Sequence, residues 1–196
     1  MKLAIIGCTG LVGSVVLKVL DEFSVKISNL TLVASPKSIG KKIAFRNKYL
    51  TIVSVEQAVK EKPDIVIFSA GSLVSEKWAP EFSAVGSKVI DNSSFWRMKK
   101  NIPLVVPEVN GFNIKKSTKI IANPNCSTIQ LAVALNEIHQ KFGLKRIVIS
   151  TYQSVTGTGT AAVTQMNNER KGLKSKKIYP HPICLLYTSP SPRDRG

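Results

Sequence analysis

Three glycines at positions 7, 10 and 13, set between an apolar run and a helical repeat, constrain this chain more than any other feature. Residues 2–7 run through Leu3-Ala4-Ile5-Ile6 without a polar break, the pattern of a short buried strand. After the turn, Leu11, Val12, Val15, Val16, Val19 and Leu20 recur at helical spacing. A strand that enters a helix through Gly7-x-x-Gly10-x-x-Gly13 uses glycine to turn tightly, to let an anion approach the backbone, and to pack helix on strand. The helix N-terminus then faces the anion, which in such turns is the pyrophosphate of a dinucleotide. The spacing differs from G-x-G-x-x-G, so the strand and helix on either side carry the reading; the alternative is a glycine-rich turn with no ligand.

Further apolar runs follow the same rhythm. Residues 29–34, Asp64 to Phe68, Val89-Ile90 and Lys119 to Ala122 read as strands, and 43–46 with 49–53 as a hairpin around Asn47-Lys48. Helical stretches lie between most of them, including Ser72 to Val85. Strands that alternate with helices and are apolar throughout predict an α/β fold, a Rossmann-like, mostly parallel sheet covered on both faces. A stronger helix is expected from Ser127 to Lys141, with Ile129, Leu131, Ala132, Leu135 and Ile138 as a broad apolar face. Leu144 to Tyr152 reads as a strand, and a helix should run from beyond Gly159 to about Arg170. The expected organisation is a cofactor-binding domain over 1–125 and the start of an α+β catalytic and dimerisation domain over 126–183. The tail 184–196 has no periodicity, resembles a translated sequencing adapter, and is set aside together with Cys184.

Composition excludes several classes. Hydrophobic residues make up 43% of the 196, enough for a core and too many for a disordered chain. No apolar run approaches the ~20 residues needed to span a bilayer, and no signal peptide is recognisable, so a cytoplasmic enzyme is expected with no membrane role. Three cysteines cannot form an even disulfide framework, and none has metal-ligand spacing. The 28 Lys and Arg against 12 Asp and Glu give a net charge of +16. These cations are scattered, apart from a run from Arg170 to Lys177. They lack the interleaved aromatics of single-strand binders, and no zinc finger or arginine-rich recognition helix accompanies them. A solvated basic surface, not nucleic-acid binding, is the expectation.

Two places carry chemistry. No Asp or Glu occurs between Glu22 and Glu56, so the second strand lacks the acid that an NAD site offers to the ribose hydroxyl. It ends instead in Ser35-Pro36-Lys37-Ser38, a cationic, hydroxyl-rich loop that favours NADP. In Asn123-Pro124-Asn125-Cys126-Ser127-Thr128, Pro124 bars helix before it, placing Cys126 at the N-terminus of the strongest helix. Partial positive charge there favours a thiolate, and unpaired N–H groups can hold an oxyanion. Cys8 lies inside the glycine turn, where a small buried residue suffices.

Five motifs together carry a family resemblance: Gly7-Cys-Thr-Gly-Leu-Val-Gly13, Asp91-Asn-Ser-Ser94 with Arg97, Val105-Val-Pro-Glu-Val-Asn110, Asn123-Pro-Asn-Cys-Ser-Thr128 and Ser150-Thr-Tyr-Gln-Ser-Val155. In this order and spacing the chain resembles the N-terminal half of bacterial-type aspartate-semialdehyde dehydrogenases over residues 1–183. The resemblance implies NADPH-dependent reductive dephosphorylation of L-aspartyl 4-phosphate to aspartate semialdehyde, with release of inorganic phosphate, in lysine, methionine and threonine biosynthesis. It implies Cys126 as nucleophile, Gln153 as the glutamine that orients the substrate, Asn125 as a neighbour placing the acyl oxygen, and Arg97 as the phosphate-holding arginine. Gly7, Thr9, Gly10, Leu11, Val12, Ser35, Lys37, Ser38, Thr156 and Gly157 fall at cofactor positions. At Lys37 many relatives carry arginine, so a point charge stands in place of a fork. No metal is implied, and the full-length enzyme is expected to be a homodimer.

The family's general-base histidine, a second substrate arginine and a phosphate-side lysine lie beyond the equivalent of Ile183. His139, late on its helix, and His181 match no base position, so the chain as written is expected to be a fragment without turnover. The rivals are N-acetyl-glutamyl-phosphate reductase, a non-catalytic dinucleotide-binding module, and a basic nucleic-acid-associated protein. The first typically has Gly before and Tyr after its cysteine, where this chain has Asn125 and Ser127.

Overall fold

A computed structural model describes residues 1–181. The tail 184–196 and Cys184 lie outside the described residues. The chain divides into two units, Met1–Leu144 and Lys145–Gly196.

The first unit is built on a seven-stranded sheet. Its strands are β1 (Lys2–Ile6), β2 (Asn29–Val33), β3 (Lys42–Phe45), β4 (Lys48–Val53), β5 (Ile65–Phe68), β6 (Lys88–Asp91) and β7 (Ile120–Ala122), in the order β3-β4-β2-β1-β5-β6-β7. Every pairing is parallel except β3 with β4. The hairpin turns on Arg46-Asn47, one residue earlier than the sequence suggests. Both residues have positive φ, 45° and 61°, as a two-residue turn matched to strand twist requires. Arg46 uses that geometry to reach helix α1 (Leu11–Glu22): Nη2 donates to Leu20 O at 2.6 Å and Nη1 to Val25 O at 2.8 Å. It thereby ties the hairpin to the Leu20 carbonyl in the last turn of α1 and to the Val25 carbonyl in the segment that follows.

Strand pleating divides the core. Ala4 and Ile6 point to one face with Val66, Phe68 and Val89, beneath α2 (Val55–Lys60) and α3 (Ser72–Ala84). Ile5 and Leu32 point to the other, beneath Leu17 of α1. The expectation of cover on both faces holds at the centre and weakens toward β5, β6 and β7, where Ile65, Ile67, Ile90 and Ile121 are only half-buried. Helix α1 also differs in detail. Its buried residues are Gly13 and Leu17, whereas Leu11, Val12, Val15 and Val19 of the predicted apolar face are 42–56% exposed. The apolar arc is wider than the sheet contact, and Gly13 draws the helix in along one edge of it.

After a short helix α4 (Pro107–Asn110), β7 leads into α5 (Cys126–Phe142). The expected broad apolar face of α5 is not covered: none of its residues is buried. The second unit contains a 3-10 turn (Val155–Thr158) and α6 (Thr160–Arg170). The expected strand over Leu144–Tyr152 is not formed, and residues 144–154 have no regular structure. A strand exists only through its ladder, and no described segment pairs with this one. Within the unit, Gln165 is 1% exposed, and its Oε1 accepts from Ile178 N at 2.6 Å and Tyr179 N at 3.1 Å, holding the returning chain on α6.

Candidate functional site

All parallel strands of the first unit end at one edge of the sheet, and the loops leaving that edge carry those residues singled out from sequence that belong to this unit. The direction in which strands are added to the sheet reverses there: β1 connects outward to β2, while β5 lies on its other side. The crevice between loops diverging at such a point is where open α/β sheets bind ligands.

Two of the three glycines at this point are explained by internal packing. Gly7 has φ +92°, and a Cβ on it would stand 2.6 Å from Ser69 O. One on Gly13 would stand 2.2 Å from Gly7 O. Gly10 is different: φ is −77° and the nearest atom to an added Cβ is 3.4 Å away. It occupies the N-cap of α1, with no side chain to cap the helix and no acid in the first turn. The first N–H groups of α1 thus have no side-chain acceptor from the cap, which fits a bound anion such as a dinucleotide phosphate. Thr9, Leu11 and Val12 are exposed around this turn.

The loop after β2 lies at the same edge. Ser35 is the N-cap of a 3-10 turn over Pro36–Ser38, and Ser35 and Lys37 are exposed while Ser38 is half-buried. Pro36 fixes the start of the turn, so Lys37 is presented on a constrained loop.

The ends of β6 and β7 are joined through side chains. Asn123 Nδ2 donates to Asn92 Oδ1 at 2.6 Å. Arg97 Nε donates to Asn123 O at 2.9 Å, and its Nη2 to Asn92 O at 3.0 Å. The guanidinium is thereby held across both strand ends, one of its acceptors being the carbonyl of Asn123, three residues before Cys126. Asn125 is the N-cap of α5: its Oδ1 accepts from Thr128 N at 2.7 Å and from Ser127 Oγ at 3.0 Å. Its oxygen thus holds the helix start, and any contact to an acyl oxygen would come from its Nδ2. Cys126 is the first residue of α5 and is exposed, where opening N–H groups lack intrahelical acceptors.

Cys8 is the opposite case. It is 1% exposed within the core beneath α1, and burial pushes its thiol up to about 11, against a backbone hydrogen bond that acts to lower it. The folded state therefore holds the proton more tightly than the unfolded one. Stability from this group is complete below pH ~9 and falls as pH rises from about 9 to 11, by on the order of 2 kcal/mol. Urea midpoints from pH 8 to 11 should fall more steeply in the wild type than in Cys8→Ala; parallel curves would contradict the burial effect.

In the second unit, Ser154 Oγ accepts from Thr156 N at 3.3 Å, and Gly157 N donates to Ser154 O at 3.1 Å. Gln153 is exposed, and its Nε2 donates to Thr151 Oγ1 at 3.3 Å. His139 and His181 are exposed. Among the described residues no group of acidic, His and Cys side chains could hold a metal, and no helix is long and apolar enough to cross a membrane.

Sequence reasoning missed the loop after β5, Ser69 to Ser72. It abuts Gly7 through Ser69 O, has φ +86° at Gly71, and meets the β6 loop where the Ser72 and Ser94 hydroxyls lie 3.1 Å apart. The signal available was small residues directly following a buried strand. Asn92 and Asn123, which tie the two strand ends, lay within quoted motifs but were given no role of their own.

Comparison with known proteins identifies the family and the fold. A family profile described as "Semialdehyde dehydrogenase, NAD binding domain" matches residues 2–117. An aspartate-semialdehyde dehydrogenase of Aquifex aeolicus is 46% identical over 193 residues, covering 94% of this chain and 57% of that protein. One from Bacillus subtilis is 41% identical over 177 residues, covering 90% and 51%. The crystal structure of aspartate semialdehyde dehydrogenase II from Vibrio cholerae, complexed with ASA, superposes with a TM-score of 0.84 at 41% identity, covering 93% of this chain and 56% of that one. The Candida albicans enzyme with NADP gives 0.64 at 26% identity, covering 74% and 48%. The chain spans about half the length of the curated relatives it matches.

Proposed function

Because this chain belongs to the semialdehyde dehydrogenase family, we propose that it carries the cofactor-binding half and the nucleophile of an NADP-dependent aspartate-semialdehyde dehydrogenase. The observation that carries the reading is Cys126: an exposed thiol opening a helix, three residues after the carbonyl to which an arginine is tied.

Cys126 Sγ attacks the acyl carbon of aspartyl phosphate; the carbon–oxygen bond to phosphate breaks and a thioester forms. Arg97, fixed on Asn92 and Asn123, binds the oxyanion of the departing phosphate. The N–H groups that open α5 and the Asn125 amide stabilise negative charge on the acyl oxygen. Gln153 orients the substrate. NADPH, when bound, would supply the hydride that takes the acyl group on Cys126 to the aldehyde, with the thiolate of Cys126 as the leaving group. Gly7, Thr9, Gly10, Leu11 and Val12 would hold the cofactor pyrophosphate, and Thr156 and Gly157 would supply further contacts. Ser35, Lys37 and Ser38 would hold the phosphate on the adenine ribose. The setting is cytoplasmic amino-acid biosynthesis in a homodimeric enzyme, without nucleic-acid or membrane partners.

Cofactor preference tests the binding half directly. NADP should bind more tightly than NAD in a fluorescence titration. Lys37→Ala should weaken NADP by about tenfold, the scale of one charge-assisted hydrogen bond at an exposed site, with NAD unchanged. Tighter binding of NAD would overturn the assignment.

A further inference from the structure

Two residues of the Asp91-Asn92-Ser93-Ser94 motif, Asp91 and Ser93, are left without a role by the proposed chemistry; they lie between the end of β6 and Arg97. Asp91 is fully buried at 0% exposure. Its Oδ2 accepts from Ser93 Oγ at 2.6 Å and from Ser93 N at 3.1 Å. Ser93 is 8% exposed, and its Oγ accepts in turn from Phe95 N at 3.2 Å. The main-chain carbonyl of Asp91 accepts from Asn123 N at 2.8 Å. Asp91 therefore touches both sides of the junction: its backbone holds β7, and its side chain starts a relay through Ser93 that folds the loop back over 93–95. Two residues further on, Arg97 closes the circuit on Asn92 O and Asn123 O.

We propose that Asp91, acting through Ser93, is the positioning residue for Arg97. A long guanidinium side chain on a loop loses much rotamer freedom when it is fixed. It keeps one orientation here because its loop is turned by a buried carboxylate whose own strand also anchors the arginine's acceptor. Asp91 Oδ1 has no hydrogen-bond partner among the described residues, so the carboxylate is not seated by full satisfaction of its own oxygens. Its hydrogen bonds go to the loop. Asp91 makes no contact with reacting atoms in this role. The inference rests on the proposed function only for what Arg97 then holds; the positioning itself is independent of it.

The test reads Arg97 without activity. In 15N-labelled chain, hydrogen exchange of the Arg97 Nε–H, assigned by its loss in Arg97→Lys, reports the bond to Asn123 O. Ser93→Ala and Asp91→Ala should each accelerate that exchange at least tenfold. Asp91→Asn, whose amide oxygen can still accept both Ser93 hydrogens, should remain within threefold of wild type. If Asp91→Ala fails to fold by circular dichroism, Ser93→Ala decides alone. Unchanged exchange in Ser93→Ala, or loss in Asp91→Asn equal to that in Asp91→Ala, overturns the relay. A second arm measures protection of Cys126 from iodoacetamide by inorganic phosphate. Absence of protection in wild type, with Arg97 exchange still following the relay pattern, removes the phosphate role of Arg97 and leaves the positioning role of Asp91 standing.

Discussion

Replacing Cys126 with serine should reduce acylation by aspartyl phosphate by a factor on the order of 10³ or more, the scale seen when a nucleophile is removed. An alcohol at the helix N-terminus keeps the shape of the site, but an unactivated serine hydroxyl is a far weaker nucleophile than a cysteine sulfur. The reaction is followed as phosphate release and, by mass spectrometry, as a covalent adduct on the peptide containing Cys126. Because Cys126 is exposed and α5 is capped by Asn125 rather than by the thiol, the variant should fold and bind NADP as the wild type does. An adduct that forms equally in Cys126→Ser, or that maps to Cys8, would remove Cys126 as the nucleophile. Cys8 is a demanding internal control, since its thiol is buried and pushed up to about 11.

The second large effect is on folding. Gly13→Ala should destabilise the first unit by about 3 kcal/mol or more, because its Cβ would stand 2.2 Å from Gly7 O and 2.8 Å from Cys8 Cα. Both neighbours are backbone, so helix α1 must move away from β1 and uncover Leu17. Gly10→Ala meets only a 3.4 Å contact in an allowed conformation and should keep nearly all the stability. It should instead lower NADP affinity, since a methyl group then stands where a phosphate approaches. Urea midpoints and a cofactor titration on both variants separate the two. Equal stability losses would mean that the turn glycines do not divide into packing and binding roles.

This division was not legible in the spacing of the glycines. Sequence periodicity located β1, β2, β5, β6 and β7 and the helices α1, α3, α5 and α6 to within a few residues, because buried strands and amphipathic helices write their periods locally. It misjudged what covers them. The wide apolar arcs of α1 and α5 announce helices, but which part of each arc meets the sheet depends on neighbours distant in the chain. The predicted strand over 144–152 shows the same limit: its residues suit a strand, yet β structure needs a partner, and none of the described segments supplies one.

For the site, the sequence alone determined the kinds of group and their local settings. It placed a glycine turn between strand and helix, a cationic loop without an acid after the second strand, and a cysteine opening a helix behind Pro124. Each depends on residues only a few positions apart. Tertiary structure decided how these settings meet. Asn92 reaches Asn123 across 31 residues, and Arg97 reaches the same strand end across 26. Ser69 enforces glycine at position 7 from the end of the neighbouring strand β5, and Asp91 is buried where it can order the arginine's loop. Strand order and register fix all of these contacts, and both are set by which buried faces pack together, a property that no short window of sequence contains.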